Sequence, residues 1–300
     1  MANCYLTTAK VKQVKQISEL IEQLDLEQLE RNLYRGQSHS VGSSRVFGGQ
    51  VLAQALSAAF RTVPEDRQVH SLHSYFVLPG DIAAPIVFQV DCIRDGGSFT
   101  TRGVKAIQHG AAIFQMTASF QLEQSGFDHQ IDMPDVLPPD ELVSYEGMAK
   151  QFGDQLPPQI LKLLKVERPL EFRPVEFHNP FAHEVYKPYR HVWLRAKGSA
   201  PAENANLQTQ LLAYASDYNL LTTALLPHGR ATDYQNLQMA SIDHAMWFHR
   251  PFDISQWMLY AIDSPSASGA RGFTRGHFFQ DGILVASVVQ EGLMRQTSDN

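Results

Sequence analysis

The chain has 300 residues, 44% of them hydrophobic and 19% charged, with a formal net charge of −6. That is apolar material for one large core or two modest ones. The acidic balance excludes the basic stripe that nucleic acid or an anionic membrane surface would require, although a local arginine cluster can still take a small polyanion. The two cysteines, Cys4 and Cys92, form no CxxC pair, so neither a disulfide framework nor a zinc knuckle is expected, and a reducing, cytoplasmic location is. No run of about 18 apolar residues spans a membrane. Met1–Gln16 lacks the apolar stretch of a signal peptide, and Arg295–Asn300 does not read as a peroxisomal address.

Residues 1–33 read as helical, with Ile17, Leu20, Ile21 and Leu24 recurring at three and four. A second helical stripe, Val51, Leu52, Ala55, Leu56, Ala59 and Phe60, opens at Gly48-Gly49 and closes at Pro64. Alternating runs follow at Val69–Val77, Ile86–Ile93, Ser98–Gln108 and Ala111–Leu122. Turns at Asp95-Gly96-Gly97 and His109-Gly110 make them antiparallel hairpins. Residues 124–190 hold nine of the sixteen prolines and read as a linker with one short helix at Pro158–Lys165.

The first pattern then returns. Leu211, Leu212, Ala215, Leu220, Leu221, Ala224 and Leu225 predict one long helix closed by Pro227. Strands are expected at Ala240–Phe248, Trp257–Asp263, Ala270–Phe279 and Ile283–Met294. Gln280-Asp281-Gly282 matches Gln108-His109-Gly110, and Arg275-Gly276 matches Arg102-Gly103. This internal repeat predicts an α+β fold of two similar halves. Each half is a long helix across a four- or five-stranded antiparallel sheet, and the two pair edge to edge.

Asp217 has Ala213, Tyr214, Leu220 and Leu221 as helical neighbours, so its carboxylate lies on or beside a buried stripe. A buried carboxylate is costly, and it marks either a site or a helix-edge hydrogen bond. In the strand from Ser241 to Phe248, parity puts Ser241, Asp243 and Ala245 on one face and His244 and Met246 on the other. A strand serine is ordinarily a small hydrogen-bonder, and Asp243 is a rival acid. Gln290 ends an apolar run, where its amide either finds partners or faces solvent. Neither His244 with His249 nor His70 with His73 is spaced to chelate a metal, so none is expected. There is no GxSxG elbow, since Gly96-Gly97-Ser98-Phe99-Thr100 ends in Thr, and neither GxGxxG nor GxxxxGK[ST] occurs. No cofactor is implied.

Several stretches in order carry a resemblance: Arg45–Gln50, Tyr214–Asn219, Ser241–Phe252, Ser266–Gly272 and Val285–Gly292. With them, residues 34–295 resemble the acyl-CoA thioesterase II family. The resemblance implies a double hotdog fold, with residues 1–123 as an N-terminal hotdog and leading helix, 124–190 as linker and 191–300 as a C-terminal hotdog carrying the site. It also implies an acyl-CoA substrate, a homo-oligomer such as a tetramer, and a hydrolytic Asp217, Ser241 and Gln290, with Ser where Thr is commoner. Gly48-Gly49 is the expected oxyanion segment, with Gly49 as substrate ligand. Arg271 and Arg275 are candidate partners of the CoA phosphates, or ordinary surface ion pairs. The alternatives are a hotdog enoyl-CoA hydratase, disfavoured because Asp243 and His244 point apart, and a non-catalytic acyl-CoA binding module. Overlaying the halves places Ser57 opposite Asp217, His70 opposite Ser241 and Ala118 opposite Gln290. Only the second half should therefore be active.

Overall fold

The computed structural model describes residues 13–42, 45–156, 158–178, 184–229 and 236–297. Cys4, the first twelve residues of the expected N-terminal helix and the last three residues of the chain lie outside them. Helix α1 is confined to Ile17–Leu24, with Ile17, Leu20 and Leu24 buried. The residues after it are not helical as the periodicity suggested. They form a hairpin of β1 (Glu27–Glu30) and β2 (Leu33–Gly36), turning at Asn32 with a φ of 60°.

Helix α2 (Gly48–Phe60) follows, then β3 (Arg67–Phe76), β4 (Ile86–Asp95), β5 (Phe99–Gln108) and β6 (Ala111–Leu122). Between the halves lie two short helices, α3 (Tyr145–Phe152) and α4 (Pro158–Leu164). The expected linker is not free of the sheet. Its end supplies β7 (Leu170–Pro174) and the start of β8 (Tyr189–Ala196), two strands whose prolines and ion-pairing arginines hid their alternation. The second half continues with α5 (Ala205–Ser216) and α6 (Leu220–Thr223). Five strands complete it: β9 (Leu237–Ser241), β10 (Asp243–Phe248), β11 (Met258–Ser268), β12 (Arg271–Gln280) and β13 (Ile283–Gln296).

All strands join one antiparallel sheet, in the order β1-β2-β4-β5-β6-β3-β10-β13-β12-β11-β8-β7, with β9 also on β13. The halves meet edge to edge where β3 pairs β10, His244 opposite Ser74. Helices α2 and α5 pack on each other against the sheet's inner face, and nearly every residue of both is buried, as expected of helices apolar all round. On the outer face of the second half, the chain from Asp128 to Leu142 lies across the strands. Met133, Val136 and Leu142 pack there on Trp193, Leu259 and Phe279, and the Trp193 indole donates to Leu137 O.

The repeat extends to detail. Gln108 bonds the backbone of Asp81 in both directions, and Gln280 does the same to Asp253. Counting from the matching hairpin ends, Arg102 opposite Ala118 occupies the place of Thr274 opposite Gln290.

Arg102 is a structural member of the first half. Only 2% exposed, its guanidinium donates to Thr62 O, Thr62 Oγ1, Arg94 O, Thr101 O and the Asp95 carboxylate. Removing it strands several buried acceptors. We expect Arg102→Met to lower stability by about 2–5 kcal/mol in denaturant titration, while activity per folded molecule survives. A change within 0.5 kcal/mol, roughly the scatter of neutral surface substitutions, would contradict this.

Candidate active site

The single long helix expected over residues 211–225 is broken. Asp217 is the C-cap of α5, and Asn219, in the left-handed region at φ 65°, turns the chain into α6. The apolar stripe hid the break because its spacing runs on through it. The break turns the Asp217 carboxylate toward the sheet and toward the N-terminus of α2. There Gly49 N donates to Asp217 Oδ2 at 3.0 Å. Two glycines permit the approach: a Cβ on Gly48 would stand 2.7 Å from Asp217 Oδ2, and one on Gly49 would stand 2.4 Å from Tyr214 O.

Gln290 lies on β13, fully buried, directly beneath this carboxylate. Its Nε2 is 2.9 Å from Asp217 Oδ1, 3.0 Å from Ser241 Oγ and 3.3 Å from His244 Nδ1. Its Oε1 is buried and has no hydrogen-bond partner among the described residues. Ser241 also hydrogen-bonds the Asp217 carboxylate. Three polar side chains from three separate elements thus converge, the three that the resemblance singles out.

Strand parity, however, fails. Ser241 pairs with Gly292 and Ala245 with Val289, so the strand carries one residue more than its partner between them. Ile242 N donates to Glu291 O, while Glu291 N donates back to the Asp243 carboxylate at 2.6 Å. This is a β-bulge. It moves Ser241 and His244 onto the same inner face and removes Asp243 from contention as a base. Asp243 and His244 still point apart, the carboxylate to Glu291 N and the ring to Gln290 and Ser216. His244 is the residue that sequence reasoning missed, since a bulge leaves no sign in hydrophobic alternation.

Burial pushes the Asp217 pKa up to about 6, against the lowering effects of Gln290, Gly49 N–H and Ser241. The N-terminus of α2 favours the charge, while the carboxyl's own helix end disfavours it. His244 is driven the other way, down to about 3 by burial, and is neutral at working pH.

Three residues expected to meet substrate have protein partners instead. Gly49 N–H is committed to Asp217 and is not a free oxyanion donor. Arg271 and Arg275 alternate with the inward Gly272 and Thr274, so they project from the opposite face of the sheet. There they pair with Glu291 and Asp263. No group of three or more His, Cys, Asp or Glu side chains that could hold a metal exists among the described residues.

The same bulge recurs in the first half, where Val69 pairs with Phe120 and Leu72 with Ala118. Val69 therefore overlies Ser241, Leu72 overlies His244 and Ala118 overlies Gln290. The expected overlay of His70 on Ser241 is one residue out, since Val69 takes that place and His70 matches Ile242. No carboxylate lies in α2, and the expected counterpart of Asp217, Ser57, bonds Leu24 O.

A repeated helix-on-sheet unit joined edge to edge, with a half-buried carboxyl and hydroxyl and a buried amide at one helix end, defines a double hotdog protein with a hydrolase-type site. The comparisons agree. Residues 35–121 match the acyl-CoA thioesterase N-terminal domain and residues 161–293 the acyl-CoA thioesterase family. The chain is 42% identical over 280 residues to acyl-CoA thioesterase 2 of Haemophilus influenzae, covering 93% of this chain and 98% of that one. It is 41% identical to human acyl-coenzyme A thioesterase 8, over 91% and 87% of the two chains. An acyl-CoA thioesterase II structure from Mycobacterium marinum superposes with a TM-score of 0.77 at 43% identity, over 93% and 99%. The chain belongs to the acyl-CoA thioesterase II family.

Folding raises the Asp217 pKa, so between about pH 4 and 6 the folded state keeps a proton that the unfolded chain has lost. The site's contribution to stability is full below pH 4 and is lost as pH rises through about 6. Asp217→Asn should therefore exceed wild type in stability at pH 8, by about 1–3 kcal/mol, and gain little at pH 4. Denaturant titrations at the two pH values check this; a gain independent of pH would contradict it.

Proposed function

We propose that this chain hydrolyses fatty acyl-CoA to fatty acid and CoA, with Asp217 as general base and Ser241 and Gln290 as the groups that orient water and carboxylate. The observation that carries the reading is the buried Gln290 amide, which bridges the half-buried Asp217 and Ser241 at 2.9 and 3.0 Å. Water attacks the thioester carbonyl carbon and passes a proton to Asp217. The tetrahedral adduct then collapses, the C–S bond breaks, and the departing CoA sulfur recovers that proton. Because thiolate is a fair leaving group, a positioned water suffices and no covalent nucleophile is needed.

A groove of about 240 Å³ opens beside Ser241, between the halves. Val46, Val51, Phe76, Ile113 and Phe114 give it an apolar lining suited to a fatty chain. Arg45 lines the same groove. The first half, with Val69, Leu72 and Ala118 at the matching positions, serves as scaffold and groove wall, giving one working site per chain.

The location we infer is the cytoplasm, whose reducing conditions suit the exposed free thiol of Cys92. We also infer a homo-oligomer. The outer sheet face of the second half is covered by residues 128–142, but that of the first half exposes Tyr75 and Ile93. Light scattering should give a multiple of 33.7 kDa, with a tetramer the assembly expected; a strict monomer at micromolar concentration would refute the assembly.

For the chemistry, the measurement is thiol release from a medium-chain acyl-CoA. kcat/KM should fall below about pH 6, where Asp217 becomes protonated. Asp217→Asn should lose a hundredfold or more, about the weight of a general base. Ser241→Thr should be tolerated and Ser241→Ala should not. A near-normal Asp217→Asn enzyme would overturn the assignment.

A further inference from the structure

We infer that His244 is a positioning residue of the reaction: as a neutral imidazole with its proton on Nε2, it fixes which way the Gln290 amide faces. The inference rests on the reading of Asp217 and Gln290 given above. It follows from counting protons along one chain of contacts. Ala213 O can only accept, so Ser216 Oγ–H, 2.8 Å away, donates to it. The Ser216 oxygen, its proton committed, accepts from His244 Nε2 at 2.9 Å. A neutral ring protonated on Nε2 has a bare Nδ1, and Nδ1 faces Gln290 at 3.3 Å. Gln290 must therefore present its NH₂ on this side: one N–H goes to Asp217, the other is shared between Ser241 Oγ and His244 Nδ1, and Oε1 is left as the acceptor without a partner among the described residues. Were the amide reversed, its oxygen would face both a carboxylate and a bare ring nitrogen.

The internal repeat supplies a control. At the position of His244 the first half has Leu72, also fully buried, so the fold itself asks only for an apolar side chain there. An imidazole costs desolvation at such a place, and its polar partners lie on one line to Gln290. The strand of the other half braces it, since Ser74 Oγ donates to His244 O at 2.8 Å.

The groups around Asp217 leave the amide as the adjustable one. From α5 and the turn after it come Tyr214 and Tyr218, and from β11 comes Tyr260, all with pKa values raised by burial and neutral in the working range. The N-terminus of α2 offers Gly49 N–H, and β9 offers Ser241. The nearby imidazole, His244, is held neutral by burial.

The test is His244→Leu, which restores the residue found at the matching place in the first half. With Gln290 free to turn, Asp217 loses a donor, so the acid limb of kcat/KM should move up by about half a pH unit or more. kcat should fall about tenfold with KM little changed, the pattern of a lost transition-state interaction. Ser216→Ala should move the limb in the same direction. His244→Asn, which keeps an acceptor near the Nδ1 position, should return it toward wild type. An unmoved limb in His244→Leu, with activity lost only in proportion to stability, would mean a packing role and overturn the inference. A second measurement needs no variant: ¹⁵N shifts of the wild-type ring should show the Nε2–H form, neutral down to pH 5, and an Nδ1–H or protonated ring overturns it. Failure of the parent reading looks different, since Asp217→Asn would then be active whatever His244 does.

Discussion

Much of this molecule is arranged around one expensive contact, a carboxylate enclosed where two helix ends meet. Asp217 caps α5 and faces the first turn of α2, and the approach is possible only because Gly48 and Gly49 have no side chains to intervene. A buried charge needs partners. Here they come from both halves: a backbone N–H from the first, an amide and a hydroxyl from the second. That division makes the edge-to-edge pairing of β3 with β10 a requirement of the site as well as of the fold.

The two halves are an experiment run within one chain. They share hairpin ends, the glutamine clamp just before each turn and a bulge at the same place in β3 and between β9 and β10. Sheet backbone geometry therefore does not distinguish them, although the helix is unbroken in the first half and breaks at Asn219 in the second. Where they differ is in inner-face side chains: Val69, Leu72 and Ala118 in one, Ser241, His244 and Gln290 in the other. Apolar residues suffice for this backbone, so the polar set is an added cost. Polar groups in a core are tolerated when nearly all are satisfied, and within this set Gln290 Oε1 has no hydrogen-bond partner among the described residues.

What was legible in the sequence followed from periodicity, and what was not followed from single residues that interrupt it. The repeat, the hairpins and the helix–sheet layering could be read because apolar alternation is strong from Val69 to Leu122 and again from Met258 to Met294. Asp217, Ser241 and Gln290 were individually weak and became a set only through resemblance. The break at Asn219 was invisible, because a left-handed residue leaves Leu220 and Leu221 in helical spacing. The bulge at Ile242-Asp243 was invisible for the same kind of reason, and it alone separated His244 from the site on paper. The strands at Leu170–Pro174 and Tyr189–Ala196 were masked by a proline-rich composition that elsewhere in the segment does mark loops. Arg271 and Arg275 stand next to inward residues in sequence and project from the opposite face of the sheet, where they form the surface ion pairs of the alternative reading.

The opposed pKa shifts of Asp217 and His244 are one effect seen on two groups. Both are enclosed, and burial favours the uncharged form of each: it holds the acid protonated to about pH 6 and the imidazole unprotonated to about pH 3. Between those values the pair carries no net charge, and above pH 6 it carries one, on Asp217. A protonated His244 would have neutralised that charge and stabilised the carboxylate, making it a poorer base. It would also have donated from both ring nitrogens, turning the Gln290 oxygen inward and withdrawing its N–H from Asp217. A neutral histidine is thus compatible with an accepting carboxylate in a way that a charged one is not. The depth at which β10 places the ring, rather than any neighbouring charge, keeps it so.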